Sequence, residues 1–454
     1  MSSEAELVAR LNALPNKPFS RRVVRVFAFV FLFEFADITT FSVTAPALQM
    51  DIGLSLGQVA HITSATFAGM FVGACAAGAL SRRCGRLRTI RWFLVCFSLG
   101  SVGSALSYDE ASMLSSRLVT GAGLAALTVS AITYIAETVP MRRRVQVQAT
   151  ITGLGLLGVP LVAVFALGVV PLAPWGWRLV FVLGALGLVG LVGLCRVPES
   201  PVWLLSRGHE ARARNVVSLL EAETTSLTGQ PPPDLAEPGP VASGKVSVAS
   251  LFQRGYALRT TVLWSVWFLQ TIAVYGFSAF VPVLLVARGV TLVGSLGYTL
   301  AIAFGAAPGA FLARPLAAWC GHTRAVWMSC LLAGASGIVF GLAINPVTTA
   351  VSGFLITLFS MSFVSLFYSY TPGSYPTELR SLGTGLAYGI GRLANIIGPF
   401  LIIGIFYSVG YFAVYAFVSG CWVACAALIW RYASDHLRRP SGLAAEAPAH
   451  QRAD

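Results

Sequence analysis

Long apolar runs dominate this chain and leave it few folds to choose from. Twelve of them, each about 18 to 28 residues, follow one another with short polar breaks: Val23–Leu48, Gly57–Leu80, Thr89–Leu106, Ser112–Val139, Val147–Val170, Leu179–Cys195, Thr260–Ala287, Gly294–Trp319, Ala325–Ile344, Val347–Tyr370, Gly383–Tyr407 and Tyr411–Trp430. A bilayer core about 30 Å thick takes roughly 20 helical residues. Runs of this length and continuity predict spanning helices and not barrel strands. Composition agrees: 56% of residues are hydrophobic and 11% charged, far too apolar for a soluble protein. The expected class is an all-α membrane protein.

The net charge of +13 would suggest nucleic acid in a soluble protein. Here the basic residues are distributed in another way. They cluster before the first span (Arg21, Arg22, Arg25) and after even-numbered spans (Arg82, Arg83, Arg86, Arg88; Arg142, Arg143, Arg144; Arg207, Arg212, Arg214; Arg380; Arg438, Arg439). Loops after odd-numbered spans carry few. By the positive-inside rule both termini are expected in the cytoplasm, and nucleic acid is not expected as a partner. The polar first twenty residues predict no cleavable leader. The expected plan is a cytoplasmic segment over 1–22, a six-helix bundle over 23–195, a linker over 196–259, a second bundle over 260–430 and a cytoplasmic tail over 431–454. The linker opens with an amphipathic helix over Glu210–Glu223 and then turns rich in proline (Pro231, Pro232, Pro233, Pro238, Pro240). Two six-helix halves joined this way suggest a transporter.

The first span holds two acids, Glu34 and Asp37, three apart and so on one helix face. An acid at such depth costs about 3 kcal/mol on insertion scales and marks a functional site. Asp37 lies too deep to reach water by its own length. Its expected partner is Arg117, in the outer part of span four, because a long side chain can reach inward to it. A carboxylate that alternately holds a proton and pairs with an arginine is a proton-coupling device. Glu34 is either a second proton site, a substrate contact or pore-lining scaffold. Arg392, near the middle of span eleven, either binds a substrate carboxylate together with Asn395 one turn on, or bonds neighbouring carbonyls. In span seven, Trp267, Gln270 and Tyr275 suit a small ring-bearing solute, or else form ordinary core and interfacial belt. Ser360, Ser362, Ser365 and Tyr368 in span ten are further, weaker candidates.

Several loops resemble those of the major facilitator superfamily. Gly78-Ala79-Leu80-Ser81-Arg82-Arg83-Cys84-Gly85-Arg86-Leu87-Arg88 resembles its loop between helices two and three. Arg117-x-x-x-Gly121-x-Gly123 resembles its fourth-helix motif. Tyr134-Ile135-Ala136-Glu137-Thr138-Val139-Pro140, Pro198-Glu199-Ser200-Pro201-Val202-Trp203-Leu204 and Tyr375-Pro376-Thr377-Glu378-Leu379-Arg380 are similar to motifs of its sugar-porter group. Glu34-x-x-Asp37 and the Gly391-Arg392 run resemble bacterial nicotinate and aromatic-acid proton symporters. The resemblance implies twelve transmembrane helices in two bundles. It also implies a cytoplasmic gate formed by Arg82, Arg86, Glu137, Arg142, Glu199, Glu378 and Arg380, with charge pairs expected between the bundles. Arg82 departs from the pattern, which has an acid there that meets the positive end of helix eleven.

No phosphate-binding loop, hydrolase or metalloprotease motif occurs, and the five histidines and eight cysteines show no metal spacing. Neither an enzyme nor a cofactor or metal is expected. The expected function is proton-coupled symport, in the inner membrane and as a monomer, of a small organic solute such as a nicotinate- or benzoate-like monocarboxylate. The alternatives are a sugar or polyol symporter, a drug/proton antiporter and a receptor that keeps the fold without transporting.

Overall fold

The protein is described by a computed structural model covering residues 6–7, 9–10, 13, 18–140, 143–228, 248–253, 256–342, 345–375 and 377–438. Its first half holds α1 (Pro18–Asp51), α2 (Leu56–Cys84), α3 (Arg86–Ala105) and α4 (Glu110–Thr138). Next come α5 (Arg144–Gly155 and Gly158–Val169) and α6 (Gly176–Ala185, a 3-10 turn, then Gly190–Cys195). Its second half holds α7 (Ala257–Ser278 and Val281–Ala287), α8 (Leu292–Ala303 and Ala306–Cys320) and α9 (His322–Leu342). The last three are α10 (Pro346–Gly373), α11 (Thr377–Val409) and α12 (Tyr411–Arg438). Eleven are long and apolar enough to cross a membrane. The twelfth, α3, falls short of that standard because Arg86, Arg88 and Arg91 fill its first turns. Twelve alternating helices put the start of α1 and the end of α12 on one face, here the terminal face; the opposite one is the distal face.

Helix ends follow local chemistry. Ser55 and Gln58 form a reciprocal capping box at α2, and Asp109 with Ser112 does so at α4. The Ser112 hydroxyl and N–H hold the Asp109 carboxyl below its ordinary range. Breaks within α5, α7 and α8 share one cause. Pro160, Pro282 and Pro308 lack the N–H that the carbonyl four residues earlier needs, and the helix opens there.

Glycines let the helices approach. A Cβ on Gly73 would lie 2.0 Å from the Ala122 carbonyl oxygen, and one on Gly121 would lie 2.0 Å from that of Thr66, so α2 and α4 touch backbone to backbone. Gly158 meets Leu32 in the same way and seats α5 on α1. Gly155 of the same helix lies against Phe31, where an added Cβ would come within 2.8 Å of that side chain.

The two bundles join on the distal side and at mid-depth. α2 packs on α11, and the distal half of α5 packs on that of α8. Ser42 of α1 donates to the carbonyls of Ser278 and Ala279 at the α7 break, at 2.7 and 2.9 Å, so a proline-freed acceptor is satisfied across the interface. Ser64 of α2 donates to the Ile396 carbonyl at 2.9 Å, and His61 lies against Phe400. Among the described residues, no hydrogen bond, ion pair or ring contact joins the bundles in the terminal half.

Between the bundles in sequence, two linker helices (Pro201–Ser206 and Glu210–Thr228) pack on the terminal face of the first bundle. The second runs a little beyond the expected Glu223. Ala213, Val217 and Leu204 bury with Leu7, and Arg10 pairs with Glu221 at 2.5 Å, which ties the N-terminal segment to the linker. The proline-rich stretch over 231–240 lies outside the described residues.

Candidate functional site

Asp37 and Arg117 meet inside the first bundle. The Arg117 Nη1 donates to Asp37 Oδ1 at 2.6 Å and its Nη2 to the Asp37 carbonyl at 3.3 Å; neither residue is exposed. The other carboxylate oxygen accepts from the Ser101 hydroxyl at 2.7 Å. Ser101 sits 2.9 Å from the Phe181 carbonyl, and the Phe181 ring lies 5.8 Å under the guanidinium. A Cβ on Gly184 would strike Asp37 and Ser101, so α6 closes over the pair because it has glycine there. Helices α1, α3, α4 and α6 together seal the pair from water. Such a pair resists loss of one partner, which would leave an uncompensated charge.

Glu34, one turn toward the terminal face, has a different environment. Its Oε1 accepts from the Thr128 hydroxyl of α4, its Oε2 has no partner, and it is 3% exposed. No cation is within ion-pair distance of it among the described residues. Arg392, from the second bundle, contributes a positive charge that acts on it.

Arg392 stands at mid-depth between the bundles. Its Nη2 donates to the Tyr388 hydroxyl at 2.8 Å, and its Nη1 rests 3.8 Å from the Met70 sulfur. A guanidinium carries five donors, and no described carboxylate pairs with this one. Around it stands an aromatic wall. The Trp267 ring is 5.2 Å from both Tyr368 and Tyr388, and Tyr275 lies 5.0 Å from Phe67. The Trp267 indole N–H is satisfied by Thr371 at 3.0 Å.

Of the other sequence candidates, Gln270 donates to its neighbour Thr271 at 2.6 Å. Asn395 is 2% exposed, and neither its amide nitrogen nor its oxygen has a partner. An unused buried polar group costs about 1–3 kcal/mol. The sequence reading missed Thr128 and Ser101. Tyr388 was not among the expected site residues, although a spacing of four from Arg392 places the two on one face.

On the terminal face, which is open here, the described motif residues pair within one bundle. Arg86 grips Glu137 with Nη2–Oε1 at 2.6 Å, and Ser200 donates to the same carboxylate at 2.6 Å. Glu199 accepts the N–H groups of Arg86 and Leu87 at 3.1 Å. Gly85 ahead of them has φ +102° and offers no side-chain cap, so Glu199 caps α3 from a distance. These residues were expected to pair between bundles, but Arg86, Glu137 and Glu199 form one network within the first. The physical reason is that the bundles are not joined on this face. Arg82 contributes its carbonyl, to Trp203 and Arg207, and no described residue pairs with its guanidinium. Arg142 lies outside the described residues, as do the side chains of Glu378 and Arg380.

Two six-helix bundles with charged residues buried at mid-depth define a membrane transporter of the alternating-access type. The chain matches the Major Facilitator Superfamily over residues 27–399, and it belongs to that family. It is 36% identical over 428 residues to the putative metabolite transport protein YyaJ of Bacillus subtilis, covering 92% of this chain and 93% of that one. It is 29% identical to the niacin transporter NiaP of Acinetobacter baylyi, covering 87% and 90%. Its fold matches a partially occluded inward open structure of the xylose transporter XylE from E. coli with a TM-score of 0.73 at 16% identity, covering 91% and 98%. The protein is a transporter of a small molecule and not an enzyme.

Proposed function

We propose that the protein is a proton-coupled symporter of the cytoplasmic membrane that carries an aromatic monocarboxylate of the nicotinate or benzoate type. The observation that carries this reading is Arg392: a mid-depth guanidinium with unused donors, walled by Trp267, Tyr275, Tyr368 and Tyr388. A guanidinium fork binds a carboxylate in two parallel hydrogen bonds, and an aromatic wall accepts a flat ring. The name of the niacin relative agrees with such a substrate. Arginine clusters on the terminal face make it the cytoplasmic one, so the distal seal leaves this conformation facing inward.

Coupling falls to the first bundle. Protonating Asp37 cancels its attraction for Arg117 and frees the guanidinium; releasing the proton restores the pair seen here. Glu34, one turn away and within reach of the Arg392 field, links that event to the substrate site.

The test is thermal stability of the purified protein with benzoate, nicotinate or xylose at two pH values. Ligand at 100 times Kd stabilises by about 2.7 kcal/mol. The aromatic acids are expected to raise the melting temperature and xylose to leave it unchanged. Stabilisation by xylose alone would overturn the carboxylate reading.

A further inference from the structure

Thr89 and Ser104 of α3 donate to the carbonyls four residues before them, at 2.7 and 3.0 Å, as helical hydroxyls commonly do. Ser101, between them, turns away from its own helix. Its oxygen lies 2.7 Å from Asp37 Oδ2 and 2.9 Å from the Phe181 carbonyl of α6, and it is fully buried. A hydroxyl has one proton to give and two lone pairs, so Ser101 donates to one of these acceptors at a time. Glycine keeps room for it: a Cβ on Gly184 would come within 2.6 Å of the Ser101 oxygen and 2.7 Å of Oδ2. The charged groups around Asp37 are Arg117 of α4 and, one turn along α1, Glu34; α3 and α6 present Ser101, Phe181 and Gly184. The arrangement recurs at Glu34, where the Thr128 hydroxyl reaches both Oε1 and the Leu124 carbonyl, the latter at 3.0 Å.

We propose that Ser101 is a turning partner that keeps the sealed Asp37 carboxyl hydrogen-bonded in both of its protonation states, and so makes it a reversible proton site. The inference rests on Asp37 as the coupling carboxylate. With Asp37 ionised, the serine O–H points at Oδ2. When a proton binds at Oδ2, the serine O–H turns to the Phe181 carbonyl, and the new acid O–H donates to the serine oxygen. One O–H bond forms at Oδ2 and the same bond breaks when the proton leaves; the serine keeps its own proton throughout. A carbonyl oxygen has two lone pairs, so Phe181 accepts this bond beside a helical one. Without the hydroxyl, Oδ2 of the ionised form and the acid O–H of the neutral form would each be buried without a partner. Such a group is costly, and the proton would be gained and lost slowly.

The test is difference infrared spectroscopy of the purified protein, acid minus neutral, which shows the C=O band of any carboxyl that takes up a proton and needs no substrate. One such band is expected to vanish in Asp37→Asn and to shift in Ser101→Ala, where the acid O–H has lost its acceptor. In proteoliposomes with benzoate as probe, the ratio of pH-driven uptake to exchange of labelled for unlabelled benzoate is expected to fall about tenfold in Ser101→Ala. An unmoved band in Ser101→Ala overturns the proposal. So does an unchanged ratio, or an equal fall of uptake and exchange, which would mark a purely structural serine. If that variant does not fold, Ser101→Cys, of similar shape but a weak donor, decides by the same readings. These failures leave the coupling role of Asp37 standing. No band that vanishes in Asp37→Asn defeats that role and the proposal with it. If benzoate is not transported, the band alone decides.

Discussion

The two acids of α1 differ more than their spacing suggests. Asp37 is saturated by Arg117 and Ser101, whereas Glu34 has one hydroxyl donor and one idle oxygen. Truncating Asp37 to alanine should therefore cost about 3–5 kcal/mol, because Arg117 would remain charged and buried. The double variant Asp37→Ala/Arg117→Met should recover most of that loss, and thermal unfolding of the purified protein measures it. A double variant no more stable than the single one contradicts the pairing energetics. In transport, Asp37→Asn should abolish pH-driven uptake and spare exchange of labelled for unlabelled substrate; full uptake against a gradient would refute the coupling role. The pair could be read from sequence because Arg117 is an opposite charge at suitable depth. Ser101 and Thr128 could not. Helical serines and threonines mostly bond their own backbone, as Thr40 and Thr44 do in α1, and nothing in the chain distinguishes the few that turn to a carboxylate.

At the level of elements, length and hydropathy located the twelve long helices, because a bilayer imposes both. The breaks were not placed in advance, though those in α5, α7 and α8 fall four residues before a proline already visible in the chain. Contacts between helices were less legible, since glycines mark close approach without naming the neighbour. That packing can be tested on α2. Gly73→Val puts a branched side chain where a Cβ would already lie 2.0 Å from the Ala122 oxygen, so α2 and α4 must separate. Overpacking of this kind costs about 1–3 kcal/mol or more. Gly78→Ala, five residues along the same helix, meets nothing within 4 Å and should gain about 0.5–1 kcal/mol from helix propensity. Opposite shifts in melting temperature are expected, and equal shifts would mean that the close approach is not the reason for glycine at position 73.

For the molecule as a whole, the distal seal and the unjoined terminal face describe one end of a rocking cycle. The motifs of the expected gate carry a structural duty in this conformation: Glu137 and Glu199 fasten the start of the linker to the α2–α3 turn. The family resemblance implies that in the opposite conformation the terminal face closes where that turn meets the start of α11. A helix N-terminus carries about half a positive charge, and this chain offers it Arg82. Repulsion there would weaken the closed state and favour the one seen here. Arg82→Asp would replace repulsion with attraction, each worth about 0.3–1 kcal/mol, so the balance should shift toward closure by roughly three- to thirtyfold. Gly389 of α11, where an added Cβ would meet nothing within 4 Å, gives a reporter. Alkylation of Gly389→Cys should slow several-fold when Arg82→Asp is added, because closing the terminal face hides that position. Equal labelling rates with and without Arg82→Asp would show that Arg82 does not set the balance between the two ends of the cycle.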